Sequence, residues 1–156
     1  MNELVSSVNV SSSESSHPNT VGSHCGQDIG AFIREYLPKE GQPLSDAAIH
    51  HFSYQGKMIR GKMAMNAAKH LNIDPLIATH WAAAIEVMHN ASLIHDDICD
   101  GDELRRGEIA VWAKYGREVG VALGDWLIAL SFELANETSI RAKRPKLISI
   151  LSNHVK

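Results

Sequence analysis

The sequence predicts an all-α protein, and three observations lead to that prediction. Apolar residues recur at helical spacing from Ile29 onward. The stretch from Pro75 to Asp100 contains no Gly, and no Pro after its first residue, so nothing in it interrupts a long helix. Period-two alternation and the dipeptides typical of hairpin turns are missing, so no pair of strands is expected.

The spacing of apolar residues and of helix-ending residues predicts seven helices. Pro38 ends the first, Ser45 is an N-cap for the second, Asp74 and Pro75 begin the fourth, and Pro145 opens the last. The helices before the last are expected near 29–37, 45–53, 58–71, 75–100, 108–115 and 118–136.

The fourth helix is the centre of the predicted fold. At ~1.5 Å per residue it would be close to 40 Å long, which is well above the mean for globular helices. Apolar residues occur nearly all round it, with Val87 and Ile94 on one side and Trp81 and Ile85 on another. Such a helix is expected to be buried on most of its circumference, in the middle of a bundle.

Composition bounds the class of protein. The 156 residues suit about one domain, and a formal net charge of −3 gives no basic footprint for nucleic acid. The longest apolar run, 119–132, is short and carries Asp125, so no transmembrane segment is expected. Two cysteines, Cys25 and Cys99, and the absence of a signal pattern favour a reducing, cytoplasmic setting.

The chain divides into two parts by composition. Residues 1–26 are rich in serine and poor in large apolar residues, which predicts a disordered tail. A regulatory or targeting role for this tail is open, although an unconstrained extension is the simpler interpretation. Residues 27–156 are predicted to form a single helical unit.

The segment HDDICDGDELRRG, at 95–107, is the strongest functional signal. Asp96 and Asp100 are four residues apart and share a helix face, where two carboxylates repel and favour a cation. Their hard oxygen ligands suit Mg²⁺, and Arg105 and Arg106 can donate bidentate hydrogen bonds to phosphate. A solvated acidic helix end is the alternative, although the helix dipole disfavours carboxylates at a C-terminus. An EF-hand is excluded because Ile98 stands where a ligand is needed.

A second basic group lies upstream. Lys57 and Arg60 follow Gly56 at a helix start, where free N–H groups can help to bind phosphate. The glycine spacing excludes a Walker loop, and surface Lys/Arg pairs are common. His89 lies on the same helix face as Ser92 and Asp96, and it is either a phosphate ligand or a hydrogen-bonded core residue.

Four segments together resemble the trans-isoprenyl diphosphate synthases, the polyprenyl synthase family. They are GKMIR at 56–60, IEVMHNASLIHDDICD at 85–100, RRG at 105–107 and GDWLIA at 124–129. The resemblance covers about residues 29–136. It implies an all-α bundle around a deep cavity and a reaction that condenses an allylic diphosphate with isopentenyl diphosphate.

The resemblance also implies two substrate sites. Lys57, Arg60, His89 and Arg106 would hold isopentenyl diphosphate. At the other site, Mg²⁺ would lie on the allylic diphosphate. Asp96 and Asp100 would bind this Mg²⁺ with Asp97 in support, and Arg105 would contact the allylic diphosphate. The predicted catalytic residues are Asp96, Asp100 and Arg105.

The sequence departs from the family pattern at several points. Gln55 replaces a glycine, Gly61 stands where proline is common, and Trp112 stands at a histidine position. No acid follows Glu137, so the family's second aspartate-rich motif is missing. The chain is therefore expected to correspond to the N-terminal half of the fold, with little or no synthase activity alone. The resemblance also implies a homodimer or heterodimer.

Small residues, Ala91 and Ser92, precede Asp96 by about one turn and by resemblance favour a geranylgeranyl or longer product, although Met88 could limit it. A class I terpene cyclase shares the aspartate motif but lacks the Lys57, Arg60 and His89 set. A non-catalytic partner or regulatory subunit would keep the helices without completing the site.

Overall fold

The computed structural model describes residues 28–54, 56–153 and 155. The predicted serine-rich tail, Cys25 and Gln55 lie outside these residues. The described part contains seven helices and two strands of two residues each, and this helical content confirms the predicted all-α fold. They are α1 (Ile29–Tyr36), α2 (Ser45–Ser53), α3 (Ile59–His70), α4 (Pro75–Asp100), β1 (Leu104–Arg105), β2 (Glu108–Ile109), α5 (Val111–Tyr115), α6 (Arg117–Ala142) and α7 (Lys146–Asn153).

Helices α4 and α6 form the centre of the fold and pack along each other over most of their length. Small residues on α4, among them Ala84 and Ala91, are fully buried and allow α6 to approach closely. The hydroxyl of Ser131 on α6 donates a 2.7 Å hydrogen bond to the Ala84 carbonyl. Large side chains such as Leu127 fill the remaining space, each contributing about 1.5–3 kcal/mol by burial. The prediction that α4 is buried on most of its circumference is confirmed.

Local capping explains why α4 begins and ends at the predicted residues. The Asp74 carboxylate accepts hydrogen bonds from the backbone N–H groups of Leu76 and Ile77, at 2.9 and 3.2 Å. Pro75 stands at the first helical position, where its missing N–H costs nothing. At the other end Gly101 adopts the left-handed conformation, with φ 73°, and stops the helix.

The segment after α4 differs from the prediction. Residues 108–110 are not helical, because β2 pairs with β1 in an antiparallel hairpin, and α5 begins only at Val111. The turn places Arg106 and Gly107 at φ 56° and 86°, the left-handed conformation that two-residue hairpin turns need. The expectation that no strands would pair is therefore wrong at this one place, and the fold class is unaffected.

Two further features concern the long helices. Helix α6 continues to Ala142, six residues beyond its predicted end, and stops at Lys143 in the left-handed conformation.

In the described part of the chain, no helix combines the length and the apolar character needed to cross a membrane.

Candidate functional site

A pocket of about 430 Å³ lies between the end of α2, the start of α3 and the middle of α4. Four of the residues predicted to bind a diphosphate line it. They come from three separate segments and are Lys57, Arg60, His89 and Arg106. The structure therefore brings together a set of residues that the sequence spreads over fifty positions.

Arg106 reaches the pocket from the hairpin turn. Its Nη1 atom donates a 2.9 Å hydrogen bond to the backbone carbonyl of Tyr54, at the end of α2. A Cβ atom at Gly56 would overlap the Arg106 guanidinium, so the absence of a side chain at Gly56 gives that group its space. The glycine of the GKMIR segment is thus explained by a close contact with Arg106.

Lys57 and Arg60 lie at the mouth of the pocket, and both are exposed. Among the described side chains, neither forms an ion pair. They precede or begin α3, whose first N–H groups carry partial positive charge. An anion in the pocket would therefore meet cations that have no counter-ion within the described chain.

Helix α3 is fastened to α4 by a buried carboxylate. The N–H of Gly61, in the first turn of α3, donates a 2.8 Å hydrogen bond to Oε1 of Glu86. Glu86 is 3% exposed. Met58, the N-cap residue of α3, is left-handed and provides no side-chain cap, so Glu86 satisfies an N–H group that the helix itself leaves unpaired. A proline in place of Gly61 could not form this bond.

Helix α2 is fastened to α4 by His51, a pocket residue that the sequence did not single out. Nε2 of His51 lies 2.9 Å from Oδ1 of Asn90. The amide nitrogen of Asn90 donates to the carbonyl of Glu86 at 2.7 Å, so Oδ1 must be the acceptor and His51 carries its proton on Nε2. Burial, together with a smaller effect of the positive charge of Arg106, lowers the pKa of His51 to about 4, so the ring is neutral at pH 7.

In the sequence, helix α4 carries the one signal that could have indicated this hydrogen-bonded group of His51, Asn90 and Glu86. Glu86 and Asn90 are polar, four residues apart, and stand in an otherwise apolar helix. His51 gave no such signal, because its partner lies 39 residues away in the chain.

His89 is partly buried beside Arg60. Burial lowers its pKa, and the charge of Arg60 lowers it further, so the imidazole is neutral at pH 7. Its backbone carbonyl accepts a 2.8 Å hydrogen bond from Ser92 Oγ. The ring lines the pocket, which favours the ligand interpretation over that of a core histidine.

The three aspartates predicted to serve a metal fall into two groups. Asp96 and Asp100 are exposed on the last turn of α4, and neither forms an ion pair within the described chain. Asp97 is 2% exposed and accepts hydrogen bonds from Arg105, at 2.8 Å from Nε and also from Nη2. This bonding raises the pKa of Arg105, which stays charged at any working pH.

The donor chemistry at the end of α4 fits Mg²⁺ in a limited way. The described residues contain no group of three or more His, Cys, Asp or Glu side chains arranged to hold a metal. Mg²⁺ needs fewer, since it keeps several waters and takes one or two carboxylates together with substrate phosphate oxygens. Asp96 and Asp100 can supply those carboxylates. Because Asp97 is occupied by Arg105, the structure favours a positioning role for it over that of a direct ligand.

The apolar stripe on α4 leads away from the acidic end. Trp81, Ile85 and Met88 are half-buried, and Ser92 is exposed at its upper end. Ala91, expected to share this wall, is instead fully buried in the core. One residue corresponds to about 100° around a helix, which places Ala91 on a different face.

Trp112 lies where the resemblance expects histidine, and its role here is structural. Its indole N–H donates a 2.8 Å hydrogen bond to the carbonyl of Asp102. Gly120 accommodates the same residue, since a Cβ there would lie 3.1 Å from Cβ of Trp112. Trp112 therefore holds the loop between α4 and the hairpin against α6.

Sequence comparisons agree with this geometry. A geranylgeranyl diphosphate synthase of Saccharolobus solfataricus is 36% identical over 105 residues, which is 67% of this chain and 32% of that protein. Heptaprenyl diphosphate synthase component 2 of Geobacillus stearothermophilus is 40% identical over 114 residues, or 71% of this chain and 36% of that one. The chain thus spans about a third of the length of these relatives.

Solved structures and a family model agree as well. A geranylgeranyl pyrophosphate synthetase from the archaeon Geoglobus acetivorans superposes with a TM-score of 0.70 at 34% identity, covering 80% of this chain and 42% of that one. An isoprenoid synthase family member from Thermotoga neapolitana gives 0.73 at 26% identity, over 80% and 48%. The family model described as polyprenyl synthetase matches residues 42–156. This chain belongs to the polyprenyl synthetase family.

Proposed function

We propose that this protein takes part in prenyl transfer, in which an allylic diphosphate is condensed with isopentenyl diphosphate. One observation carries the proposal: Lys57, Arg60, His89 and Arg106 converge on one pocket. Asp96 and Asp100 do not line that pocket. Two differently built anion sites suit a reaction with two diphosphate substrates.

The pocket is proposed to hold the diphosphate of isopentenyl diphosphate. Three cations without ion-pair partners in the described chain can donate hydrogen bonds to its oxygens, and charge-assisted bonds of this kind are the strong ones. His89, neutral before binding, can donate one more hydrogen bond. Phe52 and Met58 add apolar surface to the same pocket for the carbon chain.

The end of α4 is proposed to hold the allylic diphosphate. Asp96 and Asp100 would bind Mg²⁺, which when bound would offset the charge that develops on the leaving diphosphate. Arg105 would contact the same diphosphate. Asp97 fixes the direction of the Arg105 guanidinium, because two of its N–H groups are bonded to one carboxylate oxygen.

The proposed reaction makes one C–C bond and breaks one C–O bond. The allylic C–O bond ionises to give a carbocation and diphosphate, and the isopentenyl double bond attacks the cation. A proton is then lost to the released diphosphate. The half-buried stripe of Trp81, Ile85 and Met88 would line the path of the growing chain and exclude water from the cation.

The exposed Ser92 at the top of the stripe leaves room for a geranylgeranyl or longer product. A homodimeric or heterodimeric assembly is proposed, and heterodimers find support in relatives named as component 2 of a heptaprenyl diphosphate synthase, from Geobacillus stearothermophilus and Bacillus subtilis. We also propose a cytoplasmic location, because a chain with only two cysteines suits a reducing compartment.

The two alternative functions, a class I terpene cyclase and a non-catalytic partner subunit, predict different binding sites. A class I terpene cyclase acts on one diphosphate and has no use for a second cationic pocket, so the pocket favours a transferase. A non-catalytic partner subunit would have no need of unpaired cations there, and binding measurements separate it from the transferase.

Isothermal titration of isopentenyl diphosphate into the metal-free protein tests the proposal. Arg60→Ala should weaken binding about tenfold or more, since a charge-assisted bond is lost. Lys62→Ala removes an exposed cation from the same helix outside the pocket, and it should change the Kd less than twofold. No binding by the unchanged protein, or equal losses in the two variants, would contradict the proposal.

A further inference from the structure

His51 lines both the diphosphate pocket and a smaller neighbouring cavity that includes Asp97 and Arg105. Arg106 and Tyr54 are the other lining residues common to both cavities. His51 therefore lies between the proposed isopentenyl diphosphate pocket and a cavity lined by Arg105, yet its neutral ring carries no charge that would bind a phosphate.

The contacts of His51 lead to Arg106. Its Nε2–H is bonded to Asn90 on α4, and this bond ties the last turn of α2 to the centre of the fold. Three residues later, at the end of α2, the carbonyl of Tyr54 accepts the hydrogen bond from Arg106. The position of that carbonyl therefore depends on how firmly the last turn of α2 is held.

Other contacts near Arg106 do less to fix it. Gly56 provides space for the guanidinium, but no side chain that could hold it. Arg106 itself lies in a tight turn at φ 56°, and its side chain is exposed. The Tyr54 carbonyl thus fixes the direction of a long, exposed side chain that would otherwise sample many rotamers.

We propose that His51 is a positioning residue for Arg106, acting through Asn90 and the Tyr54 carbonyl. This inference rests on the proposed function, because it assumes that Arg106 binds diphosphate. The neutral state of His51 suits this role, because a protonated ring would lie buried near the charge of Arg106 and repel it.

A double-mutant cycle with inorganic pyrophosphate tests this inference. His51→Leu keeps a similar volume but loses the N–H donor, and it should weaken pyrophosphate binding about five- to tenfold. His51→Gln keeps an amide donor for Asn90 and should bind within about twofold of the unchanged protein. In an Arg106→Ala background, His51→Leu should cause no further loss, because the group it positions is gone.

The outcomes separate the inference from the proposed function. Unweakened binding by His51→Leu, or an equal loss with and without Arg106, would overturn the positioning role and leave the proposed function in place. No pyrophosphate binding by the unchanged protein would contradict the proposed function, and the inference with it. Should His51→Leu fail to fold, Asn90→Ala removes the acceptor from the other side and should give the same Arg106-dependent loss.

Discussion

The backbone N–H of Gly61 donates a 2.8 Å hydrogen bond to Oε1 of Glu86, which joins the first turn of α3 to the middle of α4. Both residues are buried. Gly61 is the single fully buried residue of α3 in the described structure, and Ala64 and Met65 pack partly buried against the core. The bond thus adds a buried polar contact that helps to hold the helix carrying Arg60 at the edge of the pocket.

Removing this acceptor should destabilise the protein. Glu86→Ala leaves the buried N–H of Gly61 without a partner, which should lower the free energy of unfolding by about 1–3 kcal/mol. Glu86→Gln keeps an acceptor oxygen of the same reach and should cost less than 1 kcal/mol, roughly the difference between charged and neutral acceptors. Urea unfolding measures both, and equal losses would contradict the capping role of Glu86.

The bond between Arg105 and Asp97 gives a second stability prediction. Arg105→Leu leaves a carboxylate that is 2% exposed without its cation, and should cost about 3 kcal/mol. Arg105 itself is 29% exposed, so water can replace part of the interaction and the loss falls at the low end for buried pairs.

The double variant Asp97→Leu with Arg105→Leu is the matched control. It removes both charges and should be more stable than Arg105→Leu alone, because no unpaired charge is left buried. A double variant that loses more stability than Arg105→Leu would show that the ion pair is not what holds this region.

The buried His51 predicts a dependence of stability on pH. Its pKa is about 4 in the folded protein and near 6.5 in the unfolded chain, so between these values the unfolded state binds more protons. The contribution of neutral His51 to the free energy of unfolding is complete above pH 6.5. It is lost as the pH falls to 4, and the total loss is about 3 kcal/mol.

Unfolding free energies from pH 7 to 4 measure this effect. His51→Gln does not titrate and should flatten the decline, whereas His70→Gln, at an exposed position of α3, should leave the decline unchanged. Parallel curves for His51→Gln and the unchanged protein would contradict a buried, neutral His51.

The acidic end of α4 gives a prediction about metal. Binding of a bisphosphonate should require Mg²⁺, and Asp96→Asn or Asp100→Asn should weaken it about tenfold or more by removing a ligand charge. Asp102→Asn changes an exposed acid just beyond the helix and should have less than a threefold effect. Equal effects at all three positions would indicate a diffuse acidic surface in place of a metal site.

The sequence predicted the parts of the fold that depend on local signals. The bounds of α4 follow from Asp74, Pro75 and Gly101, whose effects are exerted within one turn. The hairpin after α4 was missed because its turn places Arg106, a residue that rarely adopts positive φ, in the left-handed conformation. No local signal for such a turn exists in the letters RRG alone.

In the site, too, residues in local sequence motifs could be predicted, whereas contacts between helices could not. The charged residues of the pocket could be predicted because they occur in recognisable motifs. The hydrogen bond of His51 to Asn90 could not, since it joins two helices and depends on how they pack. The burial of Ala91 likewise depends on where α6 lies, which the sequence of α4 does not state.

The central claim is that the chain holds two diphosphate sites of different kinds. The most direct measurement is a pair of titrations, with isopentenyl diphosphate and with a bisphosphonate, each in EDTA and in Mg²⁺. Isopentenyl diphosphate should bind in both conditions, since its site is built from cations and a neutral histidine, and the bisphosphonate should bind only with Mg²⁺. If both ligands required metal, or if both bound equally well in EDTA, the account of two distinct sites would be contradicted.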